Sequence, residues 1–218
     1  MKKIILTACS AMILLAACNS GDTKENKSDS ASTTTSDVKK DEAWVPVDSA
    51  TMMKAMMDYG TLGKMHEMMT SWNGTWANET TMWEYDGAAP QKSSGTSVNT
   101  MIMGNRYQSS KFSGNMMGMP FEGMSTMGYD NAAKQFVSSW IDSWSSGIMI
   151  MTGPWNESTK TITLNGTMPD ICRPGKECSF RQVMSIVDDN TQMMEMHGPD
   201  PKTGKEFKMM EIKSTRKK

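Results

Sequence analysis

Residues 119–142, MPFEGMSTMGYDNAAKQFVSSWID, have the pattern of two β-strands joined by a tight turn. The strands are predicted over residues 121–129 and 134–142, where aromatic and apolar residues are bounded by turn-forming ones. Asp130 and Asn131 lie between them, and both residue types favour turns because their short side chains bond to nearby backbone groups. The stretch therefore predicts an antiparallel hairpin.

The same hairpin pattern continues on both sides of this stretch. Residues 76–85 alternate from face to face as a strand does, and Asp86-Gly87 is a turn signal. About ten strands with short turns and no helical crossover predict antiparallel neighbours in an up-and-down order. We therefore expect residues 72–218 to be mostly β and to form a closed antiparallel barrel of about 8–10 strands, with a β-sandwich as the alternative.

Before the predicted barrel, residues 44–71 carry a helical pattern. Methionines recur there at three- and four-residue spacings, as one face of a helix requires. They are Met52, Met53, Met56, Met57, Met65, Met68 and Met69. Gly60 and Gly63 are expected to divide the segment into two short helices, with Asp48 or Ser49 capping the first. We expect a Met-rich helical segment that acts as a lid or plug.

Residues 1–17 predict an export signal, because two lysines precede an apolar run too short to span a bilayer. The run ends in Leu-Ala-Ala-Cys, which resembles the bacterial lipobox; the resemblance implies cleavage before Cys18 and lipid attachment to its sulfur. An ordinary secretory signal is the alternative. Residues 18–43 are polar and predict a disordered tether. We expect the protein in the cell envelope, periplasmic or on the outer face, with a membrane as its partner through the lipid anchor.

Charge and cysteine use exclude one class of function and predict one cross-link. The net charge is −1, and loss of the two lysines of the signal lowers it to −3, so the strong positive charge that nucleic-acid binding requires is missing. Cys172 and Cys178 flank Pro174-Gly175, a turn sequence, and in an exported protein they predict a local disulfide. A redox-active pair is the alternative.

Three motifs carry a family resemblance. They are Trp72-x-x-x-Trp76 running into Met82-Trp83, then GTSVNTMIMGNRY, then GMPFEGMSTMGYDNAAKQFVSSWIDSWSSGI, and the closing EFKMMEIKSTRK agrees with them. Together they resemble the bacterial domain of unknown function family 1579, over roughly residues 62–216. The resemblance implies a lipocalin-like, calycin-type antiparallel barrel. It implies no catalytic residues, because the family's activity is uncharacterised.

Six side chains on the predicted strands are candidates for a ligand pocket: Trp83, Arg106, Tyr129, Trp140, Asp142 and His197. Trp140 and Asp142 share a face by the period of two. If that face points inward, Asp142 needs a partner, and Arg106 is the candidate. Such a pair would orient a polar ligand head. The alternative is that Asp142 lies at the strand end and accepts hydrogen bonds from a turn.

Methionine is the unusual part of the composition, with 26 residues. Thioether sulfurs suit Cu(I), so methionine clusters are candidate copper ligands. Two sets would supply three donors each: Met116, Met117 and Met119, or Met194, Met196 and His197. Because methionines occur in nearly every predicted element, we interpret them as flexible packing around a pocket and predict no metal site and no cofactor.

The function predicted from these features is non-enzymatic binding of a small apolar or amphipathic molecule inside the barrel. No nucleophile motif, metal-binding histidine pair or phosphate loop occurs in the sequence. The alternatives are an envelope protein that docks a protein partner through the Met-rich helices, and a metal-handling or enzymatic role. The sequence does not identify the ligand or a protein partner.

Overall fold

The computed structural model describes residues 44–218; the predicted signal, Cys18 and the predicted tether lie outside the described residues. The described chain contains two helices followed by a series of strands. The elements are α1 Ser49–Tyr59, α2 Lys64–Ser71, β1 Gly74–Met82, β2 Gln91–Ile102, β3 Tyr107–Met116, β4 Met119–Asp130, β5 Gln135–Asp142, β6 Met149–Gly153, β7 Trp155–Asn156, β8 Thr161–Pro169, β9 Glu177–Asp188, β10 Thr191–Pro199 and β11 Glu206–Arg216.

The predicted division of the helical segment is confirmed, and local hydrogen bonds explain where each helix begins. The Asp48 carboxylate accepts hydrogen bonds from the backbone N–H groups of Ala50 and Thr51, each 3.0 Å long. This satisfies backbone donors that the first turn of α1 leaves unpaired. In α2 the same need is met by His66, whose Nδ1 accepts the Gly63 N–H at 3.1 Å. Neither described helix is long and apolar enough to cross a membrane.

The strands form one antiparallel sheet that closes on itself. Its order is β6-β5-β4-β3-β2-β1-β11-β10-β9-β8-β7, so nearly every strand lies beside its neighbour in sequence. β1 pairs with β11, and β6 pairs with β8 through Thr152 and Asn165, which closes a ring. The predicted up-and-down barrel is confirmed, and the β-sandwich alternative is wrong. The short β7, paired only with β8, was not predicted from the sequence.

Two glycines make the closing seam between β6 and β8. A Cβ atom at Gly153 would collide with the carbonyl oxygen of Thr163, and one at Gly166 would collide with the carbonyl oxygen of Ile150. At both positions the obstacle is backbone, which cannot rotate away as a side chain can. The two strands therefore approach closely enough to close the barrel only because these positions lack a side chain.

One end of the barrel is filled by α2, and we call it the helix end. α2 leads into β1 with only two residues between them and packs against β2, β3 and β4. Met69 and Trp72 of this segment join the core that continues along the inner face of the strands. The other end, which we call the far end, carries the hairpin turns around residues 83–90, 117–118, 143–148, 170–176 and 200–205.

Candidate ligand cavity

The barrel encloses a cavity of about 390 Å³ between its inward-facing side chains. The period of two along each strand places these residues: in β1, for example, Trp76, Asn78, Thr80 and Met82 line the cavity and their neighbours do not. The apolar lining consists of Trp72, Trp76, Met82, Phe112, Met116, Phe121, Met127, Trp140, Met149, Phe180, Met184, Ile186, Met193, Met194, Met196, Met209, Met210 and Ile212.

The remaining lining is polar but uncharged. It consists of Asn78, Thr80, Ser97, Asn99, Gln108, Ser110, Ser125, Ser138, Gln182, Gln192 and Ser214. Among the described residues, no Asp, Glu, Lys, Arg or His side chain lines the cavity. An ionised organic group inside would have no counter-charge, and burying an unpaired charge is costly. Among organic molecules, the cavity therefore suits an uncharged guest that is mostly apolar and has a few hydrogen-bonding groups.

Part of the polar lining is fixed by hydrogen bonds within the wall. Asn78 on β1 donates to the Ser97 hydroxyl on β2 at 2.8 Å and accepts from the Ser214 hydroxyl on β11 at 2.7 Å. This links three neighbouring strands across the inner face and satisfies both ends of a side chain that is 3 % exposed. Asn78 therefore holds the wall together and offers little spare hydrogen-bonding capacity to a guest.

The helix end of the cavity is closed by α2 and the tryptophans that follow it. Gln108 on β3 donates from Nε2 to the carbonyl oxygen of Met69 at 2.7 Å, within the buried interior. The indole N–H of Trp76 donates to the carbonyl oxygen of Trp72 at 2.9 Å. Carbonyl groups in the last turn of a helix lack their usual partner four residues on, so these bonds, with the Trp72 N–H that also donates to Met69 at 3.1 Å, let the end of α2 be buried against the barrel.

An aromatic cluster lies toward the far end. Phe121 is its centre: its ring centroid is 5.9 Å from that of Phe112, 6.4 Å from that of Trp140 and 5.0 Å from that of Trp144. Phe112, Phe121 and Trp140 line the cavity, whereas Trp144 lies in the turn after β5 and is exposed. Aromatic side chains thus form a continuous path from the cavity wall to the far-end turn.

The predicted pair between Arg106 and Asp142 is wrong, because the two residues lie at opposite ends of the barrel. Asp142 ends β5 at the far end, where its carboxylate accepts from the Trp140 indole at 3.0 Å and from the backbone N–H of Trp144 at 2.9 Å. Arg106 lies at the helix end and donates to the Gly60 carbonyl oxygen at 3.2 Å. Asp142 is therefore the strand-end residue of the alternative interpretation, and it orients Trp140 from outside the cavity lining.

Of the six pocket candidates, only Trp140 lines the cavity. Tyr129 lies on the inner face of β4 at the helix end, beyond the cavity lining and packed between the rings of His66 and Phe136. Trp83 follows the last inward residue of β1, and its ring is 5.5 Å from the ammonium nitrogen of Lys208. These two aromatic residues pack the barrel rather than face a guest.

His197 lies on the outer face of β10. Its Nε2 is 3.2 Å from a carboxylate oxygen of Glu195, whose other oxygen accepts from Lys208 at 3.1 Å. Burial raises the pKa of Glu195, but the hydrogen bonds from Lys208 and His197 outweigh it and hold that pKa below its ordinary value. Because Glu195 and His197 alternate with the inward Met194 and Met196, this charged cluster is separated from the cavity by the barrel wall.

The predicted disulfide between Cys172 and Cys178 is absent from the structure, in which both are free thiols. The turn between β8 and β9 is closed by Asp170 instead. Its carboxylate accepts from the Cys172 N–H at 2.9 Å and pairs with the Arg173 guanidinium at 2.5 Å. Burial, followed by the Asp170 carboxylate, raises the pKa of the Cys178 thiol, so the thiolate required for disulfide chemistry is disfavoured.

The methionine sets named from the sequence are not brought together as proposed. Met116 lines the cavity, whereas Met117 and Met119 are 57 % and 52 % exposed at the β3–β4 turn. Met196 points inward and His197 does not. Within the described residues, no group of three or more His, Cys, Asp or Glu side chains is placed to hold a metal ion.

Sequence reasoning missed most of the residues that line the cavity. The alternation through 76–82 contained the signal for Asn78 and Thr80, since they share the face of Trp76. Gln108 had no such signal, because its role depends on where the end of α2 lies. The ten lining methionines come from seven strands and carry no local mark that separates them from the others.

Comparisons with known proteins agree with this architecture. The sequence model of the family described as "Protein of unknown function (DUF1579)" matches residues 61–216. No curated protein matches the chain. The crystal structure of Rv2717c from M. tuberculosis is similar with a TM-score of 0.53 and 10 % identity, covering 72 % of this chain and 100 % of that one.

A second solved structure is similar to the same extent. It is the S-type phycobiliprotein lyase CPES from Guillardia theta, with a TM-score of 0.50 and 9 % identity, covering 72 % of this chain and 94 % of that one. Both are lipocalin-like barrel proteins. At such low identity the likeness shows the fold alone.

Proposed function

This chain belongs to the DUF1579 family of proteins of unknown function, and from its barrel we propose that it is a binding protein for one small, uncharged, largely apolar molecule. The observation that carries the proposal is the cavity of about 390 Å³, whose described lining has no charged side chain. Its volume lies within the range of small-molecule pockets, which are mostly apolar with a few polar groups.

The lining also indicates what kind of guest fits best. Ten methionines line the cavity, and their unbranched, polarizable side chains adapt to irregular shapes. The amides of Gln182 and Gln192 face the same space and offer both donors and acceptors. A neutral molecule with a ring system or chain and one or two hydroxyl or carbonyl groups suits this combination.

A neutral fluorescent probe tests the proposal directly. We expect N-phenyl-1-naphthylamine to bind at one site per chain, and its sulfonated relative 1-anilinonaphthalene-8-sulfonate to bind much more weakly, because the sulfonate would lie without a counter-charge. Replacing inward-facing Ser110 by Trp fills the cavity and should abolish binding. Ser109→Trp is the matched control, since that serine is the next residue and does not line the cavity.

The proposal fails if the neutral probe does not bind, or if Ser110→Trp and Ser109→Trp weaken binding equally. Thermal unfolding of both variants separates loss of the cavity from loss of the fold. Native mass spectrometry of the protein purified from its own host should then show a co-purifying neutral mass that Ser110→Trp lacks.

We also propose that the barrel works in the cell envelope, held on a membrane through lipid on Cys18. The support is the lipobox-like sequence before that residue and the polar segment after it. Growth with labelled palmitate should label the protein, and Cys18→Ser should remove both the label and its membrane association. Label that persists in Cys18→Ser would exclude this residue as the anchor.

A protein partner is the second candidate, because α1 buries none of its residues. Its methionines Met52, Met53, Met56 and Met57 are each more than half exposed. Removing residues 46–60 should abolish capture of such a partner while leaving binding of the neutral probe intact. If the deletion changes probe binding instead, α1 belongs to the cavity and not to an interface.

A further inference from the structure

The fold gathers methionines that the sequence scatters. The ten that line the cavity come from β1, β3, β4, β6, β9, β10 and β11, and in the sequence they span residues 82–210. Their scattered positions in the sequence favoured an interpretation as packing residues. In the folded chain they surround one uncharged cavity and give it a surface rich in sulfur donors. This concentration is a property of the three-dimensional structure alone.

Three of these methionines lie side by side across neighbouring strands. Met82 on β1 is directly opposite Met210 on β11, and Met210 is directly opposite Met196 on β10. All three line the cavity. Directly opposite residues have Cβ atoms about 5 Å apart, within the reach of a methionine side chain. The three thioether groups therefore project from one short row into the same part of the cavity.

The strand geometry next to this row brings a fourth thioether close. The register of β10 and β11 shifts between Met196 and His197, so β11 has one extra residue there. That residue is Met209, whose sulfur lies 3.0 Å from the position that a Cβ of Gly198 would occupy. Because Gly198 has no side chain, the Met209 thioether is accommodated on the cavity side, beside the row.

The geometry points to a binding site for a soft monovalent ion, Cu(I) or Ag(I), on Met82, Met196 and Met210, with Met209 beside them. Neutral thioethers are soft ligands that select such ions, whereas Zn(II) prefers imidazole and thiolate and Mg(II) prefers oxygen. Binding is simple coordination, in which the sulfurs donate lone pairs and the ion keeps its oxidation state. The site is inferred without reference to an organic guest, although an ion bound to this row would share the cavity with one.

Titration of the purified full chain tests this site. Under anaerobic conditions, Cu(I) is added in competition with the chromogenic chelator bicinchoninate, and Ag(I) stoichiometry is read by native mass spectrometry. We expect one ion per chain and no competing Zn(II). Replacing Met82, Met196 and Met210 together by Leu keeps the apolar volume and should weaken Cu(I) binding by about tenfold or more.

A matched triple variant supplies the control. Met52, Met53 and Met56 on α1 are exposed, and replacing all three by Leu removes the same number of thioethers from the surface. Cu(I) binding should be unchanged in this variant. If the inner triple variant fails to fold, Met210→Leu alone removes the central donor. The proposal is overturned by a protein that binds no stoichiometric Cu(I), by undiminished binding in the folded inner variants, or by an equal loss in the α1 variant.

Discussion

α1 and α2 carry methionines at the same helical spacing, and they differ in what those methionines touch. In α1, Met56 and Met57 are 63 % and 66 % exposed, and no residue of the helix is buried. In α2, Met69 is fully buried, and Met65 and Met68 pack against the same core. Periodicity therefore predicts a helix in both places, but it does not predict which helix becomes part of the barrel.

The difference follows from how each helix is connected. α2 leads into β1 across two residues, and Gln108 binds the carbonyl oxygen of its Met69 inside the barrel. α1 is held only near its C-terminal end, where Asn131 donates to the carbonyl oxygens of Tyr59 and Thr61, each at 2.8 Å. A helix joined closely to a strand is placed on the barrel end by the chain itself, and the methionines of the other helix are left exposed to solvent.

Truncating one methionine in each helix should give the largest contrast. Met69→Ala removes a fully buried side chain and leaves a hole in the core, so it should lower the free energy of unfolding by about 2–5 kcal/mol. Met56→Ala removes the same atoms from solvent and should change the free energy of unfolding by less than about 0.5 kcal/mol. Urea unfolding followed by tryptophan fluorescence measures both. Equal effects would mean that α2 is no more part of the core than α1.

Removing the side-chain amide that binds the C-terminal end of each helix, Gln108 for α2 and Asn131 for α1, should again destabilise the protein more at α2, but by a smaller difference. Gln108→Ala removes a buried side chain and one of the two hydrogen bonds to the Met69 carbonyl oxygen, leaving it only the Trp72 N–H, and should cost about 1–3 kcal/mol. Asn131→Ala breaks two hydrogen bonds that are exposed to water, so water replaces them and the cost should stay below about 1 kcal/mol. The same urea experiment measures both variants. A larger loss in Asn131→Ala would show that α1 is anchored more firmly than its exposure indicates.

The contrast between the two helices also shows which parts of this structure the sequence alone predicts. The hairpin turn at Asp130-Asn131 was predicted because Asp130 has a local function: it accepts from the backbone N–H groups of Ala132 and Ala133. The barrel was predicted because short turns make sequential strands antiparallel neighbours, and about ten such strands in one sheet tend to close and remove their edges. Turn chemistry and strand period are local, and they determine the order of the sheet.

The cavity could not be predicted in the same way, since its residues meet only through the register of distant strands. Arg106 and Asp142 had the right chemistry for a pair, but the strands place them at opposite ends of the barrel. Met82 and Met210 are far apart in the sequence and directly opposite in the sheet. Which side chains line the barrel depends on its closure, and no short stretch of sequence encodes that.

The smallest expected difference between the two helices is in how acid changes their stability. It arises from the side chains that accept hydrogen bonds at the start of each helix, His66 in α2 and Asp48 in α1. Burial, followed by the positive charge of Arg106, holds the pKa of His66 below its ordinary value of 6.5. Nδ1 of neutral His66 accepts the Gly63 N–H, and the ring packs edge-on against Tyr129. The unfolded chain then binds a proton at a higher pH than the folded chain. The stability contributed by neutral His66 is therefore present above pH 6.5 and is lost as pH falls below it.

The Asp48 cap at the start of α1 should stay intact through the same pH range. Hydrogen bonds from the Thr51 side chain and backbone lower the pKa of Asp48 from its ordinary 3.8, so that cap is lost only at lower pH. Urea unfolding between pH 7.5 and 5.5 should show stability falling for the wild type and more weakly for His66→Gln. A slope that His66→Gln leaves unchanged would mean that the buried imidazole is not what couples α2 to pH, and that the two helices respond to acid alike.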